Sequence, residues 1–541
     1  MGEPIQDKTL PNGVTQLSVL PEGHDPFQPY KVEQFDTGLK YDTLQVHGGH
    51  RPDKETHARA VPIYNSVSFV FTDSAHAKRV CATEEAGYFY SRISNPTVAV
   101  FEKRAAALEG ATAAVGTASG QAAIFNTIIC LAGAGDNVVA SINLYGGTYS
   151  LFKTLLPRLG ITVKWAKQET KEEFARHIDE NTKMFFVESI GNPLFLISKA
   201  WLMWHTKTIS HLWLTTRLVL VARGAGLSSL VADIILHSAT KWMGGHGTTV
   251  GGVIIDCGTF DWGAAGERFP RMIKKDGPMS FSYWKAFGNI SFAMAMRIDI
   301  LMEVGSILSP ASAQQLLIGM ETLSLRCERH AKNTLEVARF LESHPRIAWV
   351  NYPGLEKNQY HQNAQRYLRN GFGGVLSFGP KGGDVASKML LNYVKVISHQ
   401  TNVGDSKTLA THPWNSTHVI MSEKDRREAG ITPVSLIRTY SDLSLKDLPA
   451  NDNLRQAFIR FSVGTEDVRD IIEDLDQALA KLPENIVNTH DEKLEAKVTA
   501  AANGIMDTYG GGNGDVDFID ADISLSKSNV PLGRQTAVGN W

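Results

Sequence analysis

The chain has 541 residues, of which 43% are hydrophobic and 20% charged, with a formal net charge of −2. That balance argues against a mostly disordered chain and against a generally basic nucleic-acid binder, and points to a small-molecule partner. The length suits roughly two or three domains. The opening MGEPIQDKTLPNG has no basic stretch followed by an apolar run, and no segment reaches the ~18 uninterrupted apolar residues of a membrane helix, so no membrane is expected and the default compartment is the cytoplasm. Cys81, Cys130, Cys257 and Cys327 are too widely spaced for a disulfide scaffold or a paired zinc site, and read as buried free thiols.

In chain order, residues 1–60 read as an N-terminal arm, polar and punctuated by Pro and Gly over its first 40 positions. From about 100 to 260, apolar β-rich runs alternate with helical ones. AVFEKRAAALEG (99–110) predicts a helix, NVVASI (137–142) a strand, LFKTLLPRLG (151–160) a helix, and ITVKWA (161–166), KMFFVESI (183–190) and ADIILHSA (232–239) further strands. Strand, helix, strand at this spacing implies a parallel sheet covered on both faces, in a large domain over 61–305. Beyond it, a long helix at 322–344, the run GGVLSFGP and a closing amphipathic helix at 468–482 make a second, smaller α/β domain over 306–485. The Gly- and Asp-rich 486–541 reads as a disordered tail.

The most informative motif is HSATKWMGGHGTTVGG, 237–252. It follows a strand, so Ser238, Thr240 and Lys241 fall at a strand's carboxyl end, where α/β sheets place ligands. There Lys241 can form a Schiff base with an aldehyde cofactor while the two hydroxyls bond its phosphate. The plain alternative is a solvated lysine beside a Gly-rich turn. TASGQAAIFNTIICL (117–131) puts Ser119, Gly120 and Gln121 at a helix start, suited to a phosphate or simply to capping. NLYGGTY offers Tyr145 as a ring to stack on a flat heteroaromatic, or as a core tyrosine. YSRISNPT supplies Tyr90 and Arg92, a second phosphate grip or a surface turn.

YSRISNPT, ASGQAA, LYGGTY, ESIGNP, HSATKWMGGHGTT and IRFSVGTED occur in this order and together resemble the Cys/Met-metabolism family of pyridoxal-phosphate enzymes, from about Tyr41 to Leu482. NSVSFVF and NYPGL are most similar to its O-acetylhomoserine sulfhydrylase branch, of fungal type. The resemblance implies a fold-type I, aminotransferase-like α/β architecture and a homotetramer built as a dimer of dimers. Pyridoxal 5'-phosphate would be joined to Lys241. Ser119, Gly120, Gln121, Ser238 and Thr240 would hold its phosphate, with Tyr90 and Arg92 from the neighbouring chain, and Tyr145 would stack on the ring, leaving Lys241 and Tyr145 as the candidate catalytic pair. Asn192 would reach the cofactor or the substrate carboxylate, and Arg460 would clamp that carboxylate; their bland alternatives are a plain turn and a surface charge. The implied reaction is a γ-replacement turning O-acetylhomoserine and sulfide into homocysteine and acetate. Cystathionine synthesis, a γ-lyase, or an inactive paralogue serving as an oligomer subunit remain as alternatives.

Two segments depart from the resemblance. From Ser189 to Ala232 there is no Asp or Glu, although the resemblance implies an Asp partner for the ring nitrogen where LTTRLV (214–219) stands. Either another residue serves, or the ring works unprotonated, or residues 199–231 are translated out of frame. A frame two nucleotides later can encode VVDNTFGAGG across this stretch, its Asp straddling Leu214 and Thr215. The segment 434–456 also interrupts GITP and AFIRFSVGTED; its ends can encode intron boundaries and its length is a whole number of codons. A retained intron is expected there, with a surface loop as the alternative, and Arg460 is preferred to Arg438 as the clamp.

Overall fold

The computed structural model describes residues 38–53, 55–142, 144–167, 170–188, 216–221, 232–274, 281–368, 370–417, 419, 422 and 458–484. These lie in one compact unit, Met1–Asn488. The tail expected over 486–541, the segment 434–456 and Asn192 fall outside the described residues.

A seven-stranded sheet carries the site. Its strands are β1 (Ala113–Thr117), β2 (Asn137–Ser141), β3 (Thr162–Ala166), β4 (Thr182–Glu188), β5 (Thr216–Val221), β6 (Ile234–His237) and β7 (Gly252–Asp256), in the spatial order β1-β7-β6-β5-β4-β2-β3. β2 pairs in parallel with both β3 and β4, while β4–β5, β5–β6, β6–β7 and β7–β1 are antiparallel. β1, β2, β3, β4 and β6 therefore point one way, and only β5 and β7 run against them. The apolar runs of β2, β4, β6 and β7 are buried on both faces, as a covered sheet requires. Along them, alternate residues feed two cores. Val139, Phe185, Ile235 and Ile255 pack with Phe101 and Ala105 of the helix Pro96–Glu109; Val138, Phe186, Leu236 and Ile254 pack with Ile124 and Ile128 of the helix Gly120–Leu131.

A second sheet has the order β10-β11-β12-β9-β8, formed by β8 (Ile347–Asn351), β9 (Val375–Pro380), β10 (Ser398–His399), β11 (Leu409–Thr411) and β12 (Ile459–Ser462). All pairings are antiparallel except β10–β11. The helices Leu323–Ser343 and Val468–Ala480 cover it, Val337 and Leu341 meeting Ile471, Leu475 and Leu479 in a third core.

The central strand of the large sheet differs in direction from what a βαβ series implies. β5 lies reversed between two codirectional neighbours, so its first residues stand at the sheet's carboxyl end: Thr216 opposite His237, and Arg217 opposite Glu188. Within the stretch read as an arm, Tyr41–His47 forms a helix. The thiols are free, as expected, but only Cys130 is fully buried: Cys257 and Cys327 are half-buried, and Cys81 is exposed because it ends the surface helix Ser74–Cys81; desolvation raises Cys130 and Cys327 to a pKa of about 12.

Candidate active site

β6 ends at His237, whose Nε2 meets Glu109 Oε1 at 2.8 Å with both side chains buried. This pair anchors the strand end from which the lysine turn departs. Lys241 N donates to Ser238 O and Gly245 N to Lys241 O, closing a tight turn. Thr240 Oγ1 accepts from Gly251 N at 3.0 Å and donates to Gly251 O at 3.1 Å, which ties the turn to the chain entering β7.

Facing this turn is the N-terminus of the helix Gly120–Leu131. Ser119 is its N-cap, Oγ accepting from Ala122 N at 3.1 Å. The N–H groups of Gly120 and Gln121 have no intrahelical acceptor, as at every helix start, and the helix dipole favours an anion beside them. Gly120 touches Ser238: a Cβ there would lie 2.7 Å from Ser238 Cβ and 3.0 Å from Ser238 Cα. Gln121 Nε2 donates to Gly147 O at 3.0 Å, and Gln121 Oε1 is buried without a hydrogen-bond partner. Tyr145 is half-buried in the loop after β2, its N–H donating to Glu188 Oε1 of β4 at 3.1 Å.

Arg460 arrives from β12. It is 3% exposed, and Nη2 donates to Thr401 O at 2.7 Å. Burial lowers its pKa to about 10, and Tyr145 is the group that raises it, which places the two side chains in electrostatic reach. The next residue, Asn402, accepts from Lys241 Nζ through Oδ1 at 2.5 Å. The lysine and the arginine are thus brought to adjacent residues of one loop. Sequence reading missed Asn402, which lies 161 positions beyond Lys241 in a loop without a motif of its own.

Ser119, Gly120, Gln121, Ser238, Thr240 and Lys241 gather at one end of the large sheet, with Tyr145 and Arg460 on the same side. Tyr90 and Arg92 are exposed on the segment before the helix Pro96–Glu109, the Arg92 guanidinium carbon 5.0 Å from the Tyr90 ring centroid. Such an assembly fits a phosphate-bearing aldehyde. The glycine lets the helix start and the lysine turn approach closely, so that the amides and hydroxyls an anion needs stand together with the amine of the same turn. Leu214 and Thr215, where the resemblance implies the ring nitrogen's carboxylate partner, lie outside the described residues.

A family model described as Cys/Met metabolism PLP-dependent enzyme matches residues 42–445. "Sulfhydrylase FUB7" of Fusarium oxysporum f. sp. lycopersici is 44% identical over 82% of this chain and 97% of its own. "Homocysteine synthase" of Schizosaccharomyces pombe is also 44% identical, over 81% of this chain and 98% of its own. Among solved structures, a putative O-acetylhomoserine (thiol)-lyase from Campylobacter jejuni, which carries a pyridoxyl-lysine monophosphate, superposes with a TM-score of 0.69 at 30% identity, over 82% of this chain and 100% of that one.

Proposed function

Because this chain belongs to the Cys/Met-metabolism family of pyridoxal-phosphate-dependent enzymes, we propose that it makes homocysteine and acetate from O-acetylhomoserine and sulfide. The single observation that supports this best is the convergence of Lys241 and Arg460 on Thr401–Asn402, with Ser238, three residues before Lys241, against Gly120 at a helix start. In this reading Lys241 would serve as the amine, Arg460 as the carboxylate clamp and the Gly120–Ser238 contact as the anion seat. The relatives named for sulfhydrylation and homocysteine synthesis support the choice of reaction.

In this reading the amides of Gly120 and Gln121 and the hydroxyl of Ser238 would hold the cofactor's phosphate, the Thr240 hydroxyl would turn to it from Gly251 O, and Ser119 both caps the helix and borders that seat. Tyr145 lies along the ring. Pyridoxal phosphate supplies the electron sink that lets acetate leave the γ-carbon and sulfide replace it. Lys241 Nζ would take the proton from the substrate's α-carbon, give it up, and then as a free base again take one from the β-carbon, returning a proton to each carbon once sulfide has added. Arg460 fixes the α-carboxylate with a planar pair of N–H donors, so that the α-hydrogen faces the amine. Asn192 serves as a further contact to cofactor or substrate. Tyr90 and Arg92, exposed in a single chain, complete the phosphate seat of a neighbouring subunit in a homotetramer arranged as two dimers. Among the described residues no helix is long and apolar enough to cross a membrane, and the proposed compartment is the cytoplasm.

The test is product formation by the cofactor-loaded chain given O-acetylhomoserine with sulfide, and separately with cysteine. Homocysteine from sulfide, lost in Lys241→Ala, supports the proposal. Cystathionine from cysteine as the main product would replace it by the alternative within the family, and absence of turnover with either thiol by a loaded chain would favour a subunit without catalysis of its own.

A further inference from the structure

Tyr90 and Arg92 stand exposed, yet the backbone that carries them is pinned by largely buried groups. Ile93 N and Ser94 N donate to Tyr90 O at 2.9 and 3.1 Å, closing a turn. Arg297 Nη1 donates to Ile93 O at 2.7 Å, while its Nη2 donates to Glu102 Oε2 at 2.7 Å. Glu102 in turn accepts from Gly116 N of β1 through Oε1 at 2.8 Å. One guanidinium fork thereby fixes the turn to the helix Pro96–Glu109 and to the large sheet, with the two charged side chains 18% and 8% exposed. Arg297 lies in the π-helical turn Met296–Leu301, an irregularity frequent at functional sites. Further along, a Cβ on Gly305 would lie 3.8 Å from Arg92 Cδ, and Ser306 O accepts from Ala118 N, one residue before the helix cap Ser119.

We propose that Arg297 and Glu102 are positioning residues for cofactor binding across a subunit boundary: they hold the Tyr90–Ile93 turn so that Tyr90 and Arg92 reach the phosphate seated on a second copy of this chain. The inference rests on the function proposed above, which takes those two side chains as a neighbour's phosphate grip, and adds what orients them. A long exposed side chain loses rotamer freedom when it closes on an anion, and a backbone fixed in advance lowers that cost. The Arg92 guanidinium carbon, 5.0 Å from the Tyr90 ring centroid, orders the two tips against each other. Arginine suits position 297 because its planar fork reaches a carboxylate and a carbonyl from two separate nitrogens; a lysine ammonium lacks that spread. A subunit that loses the fork keeps its own lysine and fails in what it lends. Because Gly116 and Ala118 also lead to that subunit's own phosphate seat, the test has to separate the two sites.

The experiment uses the full chain. Arg297→Met combined with Glu102→Gln removes the fork and leaves no unpaired buried charge; Arg297→Lys keeps the charge beside Glu102 without the fork. Apo-protein is titrated with pyridoxal phosphate, and binding is read as the share of Lys241 labelled after borohydride reduction. The double variant is expected to need roughly 5- to 50-fold more cofactor for half-labelling, and Arg297→Lys an intermediate amount. The double variant is then co-expressed with Lys241→Ala under a second tag, and hybrids are isolated through both tags. In a hybrid dimer the one remaining Lys241 receives its grip from the chain whose Arg297 and Glu102 are intact, so labelling should return at the wild-type cofactor concentration. Wild-type affinity in the double variant overturns the proposal. So does a weakened affinity that stays equally weak in the hybrid, since the defect then lies in the chain's own seat, and so does a monomeric protein that forms no hybrid. If the double variant does not fold, the same two measurements on Arg297→Lys decide. An unaltered chain whose Lys241 is never labelled removes the proposed function along with this inference, whereas normal labelling there with no recovery in the hybrid removes this inference alone.

Discussion

Gly120→Ala tests the contact on which the phosphate seat depends. The added Cβ would lie 2.7 Å from Ser238 Cβ and 3.0 Å from Ser238 Cα, closer than carbon atoms approach without displacement. Ser238 cannot yield easily, because it follows β6, whose residues are buried and whose last member is anchored to Glu109. Overpacking of this kind costs about 1–3 kcal/mol. Alanine's better helix propensity returns up to ~1 kcal/mol, so the fold itself should lose little. The helix end and the lysine turn must instead separate, and the anion between them loses its fit. The expected result is a cofactor dissociation constant raised by a factor of about 5–150, since ~1.4 kcal/mol is tenfold, with a thermal midpoint within a few degrees of wild type. Absorbance titration of the apo-protein with pyridoxal phosphate measures the first and calorimetry the second. Ser119→Ala should act in the opposite sense, lowering the midpoint by a lost cap worth ~1 kcal/mol while affinity changes less. Unchanged affinity in Gly120→Ala would refute the placement of the phosphate.

Arg460→Lys, which loses the planar fork, should raise KM for the amino-acid substrate roughly 10- to 100-fold with a smaller effect on kcat; steady-state kinetics with an unchanged KM would remove Arg460 as the clamp. Burial raises the pKa of Asp256 from 3.8 to about 7, against the backbone N–H groups of Gly258 and Ala293 that lower it. A raised carboxyl pKa stabilises the fold below the unfolded value, and that contribution is lost as pH rises through about 7; between pH 5 and 8 it amounts to about 3 kcal/mol. Urea unfolding should show this slope in the wild type and lack it in Asp256→Asn, and equal slopes would contradict the assignment. The out-of-frame reading of 199–231 is tested on the gene: genomic DNA should encode an Asp where Leu214 and Thr215 now stand, and codons unable to do so in a shifted frame would end that explanation. Peptides from 434–456 recovered from native protein would likewise rule out a retained intron.

Much of the architecture was legible because buried strands are written as short apolar runs. NVVASI and ITVKWA lie within a residue of β2 and β3, and the helix expected at 468–482 forms as Val468–Ala480. β1 was not read, since AAVGT has little side-chain signature and is buried through its neighbours. The helix expected at 151–160 is broken into a π turn, Leu151–Leu155, and a short α segment, which periodicity does not distinguish from a regular helix. β5 shows the limit most plainly: TRLVLV has strong strand propensity in either direction, and propensity does not encode polarity. At the site, Ser119, Gly120, Ser238 and Lys241 were readable because each sits at the junction of an element and a glycine-containing turn. Asn402 was not, since its importance comes from the loop's contacts with Trp242, Gly245 and Ser462.

The central claim is that the Lys241 amine is the covalent seat of pyridoxal phosphate. Borohydride reduction of the loaded protein, followed by proteolysis and mass mapping, tests it most directly. The account predicts a pyridoxyl-phosphate adduct on the peptide carrying Lys241 and on no other. An unmodified Lys241 peptide, or a stoichiometric adduct on a different lysine, would contradict it.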